Sequence, residues 1–558
     1  MQSRLKIRRK IIKLIFILVW IVAFIRVTQL QVVKGERFYK RYNSNNFIRT
    51  IIPAKRGTIK DRNGRILARD VEEFTLYADR RIIKDYSKIG KLLQKKGITS
   101  KDDFVRRMES TKSKIVTITR GLDNNEYNEI KDIKGLFGTK GWRRFYPNGY
   151  IARTIIGGID YNRRGISGIE KTFDKYLRGK DGYGTYIVNL RNKFKYIKYP
   201  NRKDCDPING MDIVLTIDMN IQYILDDVLR KTLKKTNADR ILGVVMDGET
   251  GEILASVNLP ELGENKVWQK DLLIQWAFEP GSIFKVVPAL AYIKAGYSLN
   301  KIVESGKGKI KVGNKIFKDL KKHPPYTFRD ALAFSSNVGF VKIGEMVGAK
   351  QIYNYSRRLG LGTLTGISID GEVAGEGPKN YYKNKVDFAN LSFGQGILVT
   401  PLQLMVAYQS IGNKGIMMKP LIIKKIINSD EEVYVAKQKK IRRVVDSSSD
   451  SVLVDLLREV VKKGTGKEAS VNEVDIIGKT GTAQQYVNEK YSDYYVSSFI
   501  GIVEPNRMPL IIGIFVDNPK RWHEASIVAC PSFRRIVKRI LNLPEYRSNF
   551  IKELARGD

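Results

Sequence analysis

Two residue types in the stretch Glu279-Pro280-Gly281-Ser282-Ile283-Phe284-Lys285 can make a nucleophile and its base: Ser282 and Lys285. A helix that begins at the Pro-Gly turn puts residues three apart on one face. Ser282 then falls in the first turn, where free N–H groups and the positive helix end favour a developing negative charge. Lys285 accepts a proton only when neutral, which requires burial or a neighbouring cation. Ile283, Phe284, Val286 and Val287 supply the apolar wall. Alone, the spacing is weak, because Ser-x-x-Lys recurs at Ser3–Lys6 and Ser298–Lys301 and a serine here also serves as a plain helix cap. Two later segments strengthen it. Ser335-Ser336-Asn337 adds a hydroxyl and a side-chain amide, and Lys479-Thr480-Gly481-Thr482 holds the chain's single Lys-Thr-Gly. Each keeps a plainer alternative: Ser335 as a cap, Asn337 as a turn residue, Thr480 and Thr482 as solvent-facing strand residues, Lys479 as an edge-strand charge.

Other chemistries find less support. His523-Glu524 begins an H-E-x-x-H pattern, but position 527 is Ile527. Gly478-Lys479-Thr480 resembles the end of a phosphate loop, but position 473 is Glu473. No metal and no cofactor is expected. With two histidines, His323 and His523, neither in a recognisable motif, a Ser-His-Asp triad has little to draw on, and Cys205 and Cys530 make no disulfide framework. The chain has 558 residues and a net charge of +41, which suits nucleic acid, an anionic membrane or an anionic polymer. The basic residues are spread along the chain with no zinc-finger or RNP-type motif, so no nucleic-acid partner is expected.

The elements that must position these groups follow from patterning. Arg4 to Lys10 is basic, and Ile11–Leu30 is apolar over about the ~20 residues a bilayer needs. No small-x-small cleavage site follows, so the stretch reads as an uncleaved anchor with its basic flank inside and the rest of the chain outside. Residues 1–10 form the cytoplasmic tail and 11–30 the anchor. Residues 31–205, rich in turn signals, read as an α+β extracytoplasmic module without a catalytic constellation. From about residue 206 to 545 the texture changes. Asp212–Thr216, Ile241–Met246, Glu252–Val257, Ser498–Val503 and Leu510–Val516 read as strands, Asp218 as a helix cap, and Val528–Leu541 as an amphipathic helix. Strands at both ends with helices between predict one antiparallel sheet built from distant parts of the chain, with a helical insert. Residues 546–558 are a polar tail.

Further ordered segments accompany these: Arg56-Gly57-Thr58-Ile59, Tyr146-Pro147-Asn148-Gly149, Gly168-Ile169-Glu170, Ser392-Phe393-Gly394-Gln395-Gly396 and Thr400-Pro401-Leu402-Gln403. With them the chain resembles the class B penicillin-binding proteins, membrane-anchored transpeptidases of bacterial cell-wall synthesis. The match runs from the anchor to about residue 541. Glu-Pro-Gly before Ser282 and the Ser335–Gly339 stretch are most similar to the cell-division subgroup. One departure is Ala525-Ser526, where relatives often carry Gly-Gly.

The resemblance implies a single transmembrane helix, an α+β pedestal or dimerisation-like module, and an α/β transpeptidase domain. That domain is serine β-lactamase-like, an antiparallel sheet flanked by helices with an all-helical subdomain. It implies that Ser282 is acylated by a D-Ala-D-Ala stem peptide, Lys285 takes its proton, Ser335 relays a proton to the leaving amine and Asn337 orients the donor. Lys479 supplies positive charge, and Thr480 and Thr482, with Gly481 between them, bind the substrate carboxylate. The N–H groups of Ser282 and Thr482 form the oxyanion hole. Implied partners are peptidoglycan stem peptides, β-lactams, the membrane, a SEDS-family glycosyltransferase and other division proteins. A D,D-carboxypeptidase or β-lactamase-type hydrolase, a β-lactam sensor and an inactive division scaffold are the alternatives. The module at 31–205 is placed to touch a membrane partner. Substitutions at Arg56 or Arg144 are therefore expected to cost division through a lost contact, while a piece from about residue 206 keeps binding penicillin; the plainer alternative is that these arginines only hold the module together.

Overall fold

The computed structural model describes residues 2–36, 47–189, 195–198, 204–260, 270–304, 308–319, 324–382, 384–487, 490–504 and 509–547. His323 and the tail from 548 lie outside them. The chain opens on α1 (Gln2–Thr28), continued by a π-helical turn, Gln29–Val33. Within this stretch Lys6–Val32 is long and apolar enough to cross a membrane, and none of the described residues buries it. Such a helix is at home only in lipid, so the protein carries one membrane anchor.

The chain forms two compact units. The first comprises Met1–Lys55, Val71–Arg143 and Gly179–Asn209. Its helices Tyr86–Lys95 and Lys101–Glu109 start at Asp85 and Ser100, whose side chains accept from the N–H groups of Lys88 and Asp103. Through Leu93, Phe104 and Met108 they cover the strand residues Leu76, Val116 and Ile118.

The second unit comprises Arg56–Asp70, Arg144–Arg178 and Gly210–Asp558. Its third segment holds α2 (Met219–Thr236), N-capped by Asp218 as expected. Strands β1 (Arg240–Asp247), β2 (Ile253–Leu259), β3 (Ile476–Val487), β4 (Lys490–Val503) and β5 (Leu510–Asp517) form one antiparallel sheet in the order β2-β1-β5-β4-β3. The sequence predicted such a sheet from both ends of the region, but it also counted Asp212–Thr216 among its strands, and that segment pairs instead with Ile59–Lys60 and Ile423–Asn428 in a separate sheet. Between β2 and β3 run α3 (Val286–Lys294), α4 (Asn337–Val347), α5 (Ala349–Arg358), α6 (Pro401–Gly412) and α7 (Ser447–Lys462), and α8 (Cys530–Leu541) follows β5. Alternate residues of a strand face opposite ways. In β1, Ile241 and Val245 join Leu225 and Leu229 of α2 and Phe533 and Ile536 of α8. Leu242, Val244 and Met246 join Leu290 of α3, Met405 of α6 and Leu457 of α7. Both faces are covered, which is why the strands read as unbroken apolar runs.

Two segments expected in the N-terminal module, 56–70 and 144–178, lie in the second unit. Ile59 pairs with Ile213 in parallel, and Gly57 N donates to Leu177 O at 2.8 Å. Arg56 and Arg144 are 1% and 8% exposed. Arg56 meets Glu170 and Asp174, each at 2.6 Å, while Arg144 meets Glu170 at 2.7 Å and Asp70 at 3.3 Å. Burial works against the Arg144 charge, but Glu170 and Asp70 outweigh it and raise its pKa. Side chains enclosed in this way have no surface for a partner, so the expected partner contact through these arginines is corrected to an internal one. Arg144→Ala would strand Glu170 and Asp70 without one of their cations. Breaking a buried ion pair from one side costs on the order of 3–5 kcal/mol. A clear fall in melting temperature is therefore expected, and an unchanged melting curve would contradict it.

A second buried charge has no such partner. Asp450, in the first turn of α7, is fully buried, and neither carboxylate oxygen finds a hydrogen bond among the described residues. Burial pushes its pKa up to about 8, against the pull of Arg443. The folded state thus holds a proton that the unfolded chain releases near the ordinary carboxylate pKa. Stability therefore falls as pH rises from the ordinary carboxylate range to about 8, by roughly 1.4 kcal/mol per pH unit, and levels off above it. Asp450→Asn should flatten that decline and melt higher at pH 8.5. Parallel melting profiles for variant and parent between pH 5 and 8.5 would refute this.

Candidate active site

Gly281–Lys285 is a 3-10 turn that runs straight into α3, so the expected helix start at Pro-Gly is present in a tighter form. Gly281 has φ +54°, and a Cβ there would lie 2.8 Å from the Cβ of Ala483. Glycine satisfies both demands. The turn is held from three sides. Gly281 N donates to Gly394 O at 3.0 Å, Gly396 N donates to the Glu279 carboxylate at 2.8 Å, and the buried Tyr408 hydroxyl donates to Ile283 O at 2.8 Å. On the fourth side runs β3. At Gly481 a Cβ would lie 2.5 Å from Ser498 Oγ and 3.3 Å from Pro280 O. The missing side chain lets the Lys-Thr-Gly strand approach the Ser282 turn.

Lys285 is fully buried. Its Nζ donates to Ser335 O at 2.7 Å, Asn337 Oδ1 at 2.9 Å and Ser335 Oγ at 3.2 Å, and lies 5.2 Å from the centre of the Phe340 ring. The hydroxyl of Ser282, half-buried at the head of the same turn, makes no hydrogen bond among the described residues. The lysine is therefore turned toward the Ser-x-Asn segment. Catalytic hydrogen bonds are often loose before substrate binds. Burial pushes the Lys285 pKa well below the ordinary lysine value, the charge of Lys479 pushes it further, and Asp319 opposes both.

Ser335 has φ +60°, a strained conformation for a serine, immediately before α4. The helix start beside it is fixed by Ser336, whose Oγ accepts from Gly339 N at 2.8 Å and donates to Asp319 Oδ2 at 2.7 Å. Asp319 Oδ1 also accepts from Asn337 N at 2.6 Å and Val338 N at 3.0 Å. A carboxylate at a helix N-terminus is favourably placed, and this one sets where Ser335 and Asn337 point.

Lys479 is fully buried on β3, and its Nζ donates to Thr480 O at 3.3 Å. Burial brings its pKa down to about 7, against the thiol of Cys530. Thr482 is exposed, and its Oγ1 accepts from Ala525 N at 3.3 Å. Ala525 is buried at the start of the short helix Ala525–Val528, so the Ala525-Ser526 pair touches the site through its backbone. Thr480 is 6% exposed, its hydroxyl 2.6 Å from that of Thr465. β3 is the edge strand of its sheet, so part of its backbone N–H and C=O groups face away from β4.

The structure brings Ser282, Lys285, Ser335, Asn337, Lys479, Gly481 and Thr482 to one place, and turns the Thr480 hydroxyl to Thr465. Sequence reasoning missed Asp319, Tyr408 and Glu279. The arrangement holds a hydroxyl, a desolvated amine, a second hydroxyl on that amine and an open strand edge, the components of acyl transfer.

The model described as the penicillin binding protein transpeptidase domain matches residues 241–538. That described as the penicillin-binding protein dimerisation domain matches residues 51–215. The chain is 30% identical to penicillin-binding protein PbpB of Mycolicibacterium smegmatis, over 97% of this chain and 91% of that protein. It is 29% identical to the probable peptidoglycan D,D-transpeptidase PenA of Neisseria gonorrhoeae, over 91% and 87%. A crystal structure of penicillin binding protein 3 from Mycobacterium tuberculosis, complexed with aztreonam, is similar with a TM-score of 0.67 and 28% identity, covering 90% of this chain and 97% of that one.

Proposed function

The chain belongs to the penicillin-binding protein transpeptidase family, as a peptidoglycan D,D-transpeptidase of the membrane-anchored class B type, and from that premise we propose the role of each residue in its site. Ser282 is the nucleophile and Lys285, in its neutral form, the base. The observation that carries this reading is the fully buried Lys285 Nζ, three residues from Ser282, held by Ser335 and Asn337 oxygens.

Lys285 takes the Ser282 Oγ proton as Oγ bonds to the carbonyl carbon between two terminal D-alanines. Negative charge collects on the carbonyl oxygen, facing the N–H groups of Ser282 and Thr482. The C–N bond then breaks, and the departing D-alanine amine takes a proton through the Ser335 hydroxyl from the Lys285 ammonium. An amine of a neighbouring stem peptide attacks the ester, gives its proton back along the same route, and releases Ser282 as the crosslink forms. Asn337 orients the donor backbone. Lys479, Thr480 and Thr482 hold the terminal carboxylate, which for Thr480 requires its hydroxyl to leave Thr465. A β-lactam follows the first step only, because its opened ring stays attached and blocks the second amine.

Labelled penicillin should remain on the full-length protein for hours. Release within minutes as hydrolysed product would favour a β-lactamase-type hydrolase. The basic cluster before the anchor supports a cytoplasmic N-terminus. Protease added to spheroplasts should then remove everything after the anchor, and protection of the second unit would reverse that topology. The resemblance to the division subgroup supports septal work beside a SEDS-family glycan polymerase, since the site transfers acyl groups and the wall also needs new sugar strands. Depletion should give filaments, and round cells would point to elongation instead.

A further inference from the structure

Away from the Ser282 turn, the second unit carries a cleft of about 540 Å³, within the range of small-ligand sites. Its floor is apolar, from the buried side chains of Leu359, Val406 and Met417. Its rim is cationic. Arg357 and Arg358 come from the last turn of α5, and Arg442 from the strand Lys440–Arg443. No acidic residue lines it.

Among the described residues the three guanidinium groups donate hydrogen bonds only to backbone carbonyls, and that of Arg358 also lies 5.8 Å from the centre of the Tyr355 ring. Arg442 Nε donates to Arg358 O at 2.8 Å and its second nitrogen to Arg357 O at 3.2 Å, closing the carbonyl end of α5. Capping accounts for Arg442. It does not account for the other two, which reach Gly362 O at 3.2 Å and Arg443 O at 3.4 Å with one nitrogen each. Among the described residues, none of the three forms an ion pair. Burial, then the charges of Arg357 and Arg358, push the Arg442 pKa down, as expected for like charges gathered without a counter-ion.

We propose that this cleft is a phosphate-binding site in which Arg357, Arg358 and Arg442 hold the phosphate and the apolar floor receives whatever carries it. Guanidinium forks present paired N–H donors that match phosphate oxygens, and an anionic phosphate would offset part of the local charge. An apolar floor beside such a rim suits a phospholipid headgroup with the start of its chains better than free phosphate.

The test is calorimetric titration of the full chain in neutral detergent at low salt. Dihexanoyl phosphatidylglycerol is used in one arm and sodium phosphate in the other. Saturable binding is expected, tighter for the lipid. It should weaken at least about tenfold in the Arg357→Gln/Arg358→Gln double variant, which loses two charged donors, and stay unchanged in Lys311→Gln. Penicillin labelling should be equal in all three proteins. Binding of phosphate alone, lost in the same variant, assigns the source to the free ion. Absence of binding in both arms, or binding that the double variant keeps, overturns the site. Where the double variant loses penicillin labelling, Arg358→Gln alone decides by the same criterion.

Discussion

Ser282→Ala abolishes covalent penicillin labelling and leaves the protein folded: that is the largest effect expected. In a serine hydrolase, loss of the nucleophile costs on the order of 10⁶ in rate, because the remaining groups act only as a unit with it. The surroundings explain why the fold survives. The Ser282 turn is held by Gly281, Glu279, Ile283 and their partners, and none of those bonds uses the Ser282 hydroxyl. Removing Oγ therefore breaks no structural contact. Labelling with fluorescent penicillin beside a melting curve checks both halves. Label that persists at a mapped site elsewhere would sink the assignment.

Lys285→Ala should lose acylation nearly as completely. This change also deletes the donor shared by Ser335 and Asn337, so a lower melting temperature accompanies it. The pH profile of the parent protein separates the base from a merely structural lysine. Because the Lys285 pKa is lowered, its neutral form persists at pH values where an ordinary lysine is charged, and acylation should rise as pH climbs through that lowered value. The charge of Lys479 is lost as pH rises through about 7, which sets the alkaline limb. The two amines influence each other, so the apparent values belong to the pair. Lys479→Arg, which stays protonated, should extend the alkaline limb upward. An acylation rate in Lys285→Ala reduced only a few-fold near neutral pH would remove Lys285 as base.

Much of this site was legible because acyl transfer leaves local marks. Ser282 and Lys285 stand three apart on one turn, and Lys479-Thr480-Gly481 is unique in the chain. The sheet was legible because strands covered on both faces, such as β1 and β5, are continuous apolar runs. Asp319 was not, since a lone acid after a short hairpin looks like any solvated charge. It matters only because the chain brings it back beneath Ser336 and Asn337. Tyr408 and Glu279 act through tertiary contacts of the same kind. Local pattern left Arg56 and Arg144 open between a partner contact and an internal tie, because their partner Glu170 is distant in the chain. The 3-10 form of the Ser282 turn follows from the approach of β3 at Gly281, which no local pattern records.

The second unit is threaded from three separate lengths of chain, with the first unit spooled out between them. Ile59 lies beside Ile213, and α2 begins where Asp61 accepts from Met219 N at 3.3 Å. The catalytic sheet waits longer still, because β1 pairs with β5 across more than two hundred residues. Contacts so distant in sequence must be closed against a large loss of chain freedom, so folding is expected to be slow and open to misassembly. A cut at residue 206 would discard the Ile59 strand and the Arg56–Glu170 network together. For this protein the natural experimental unit is the whole chain.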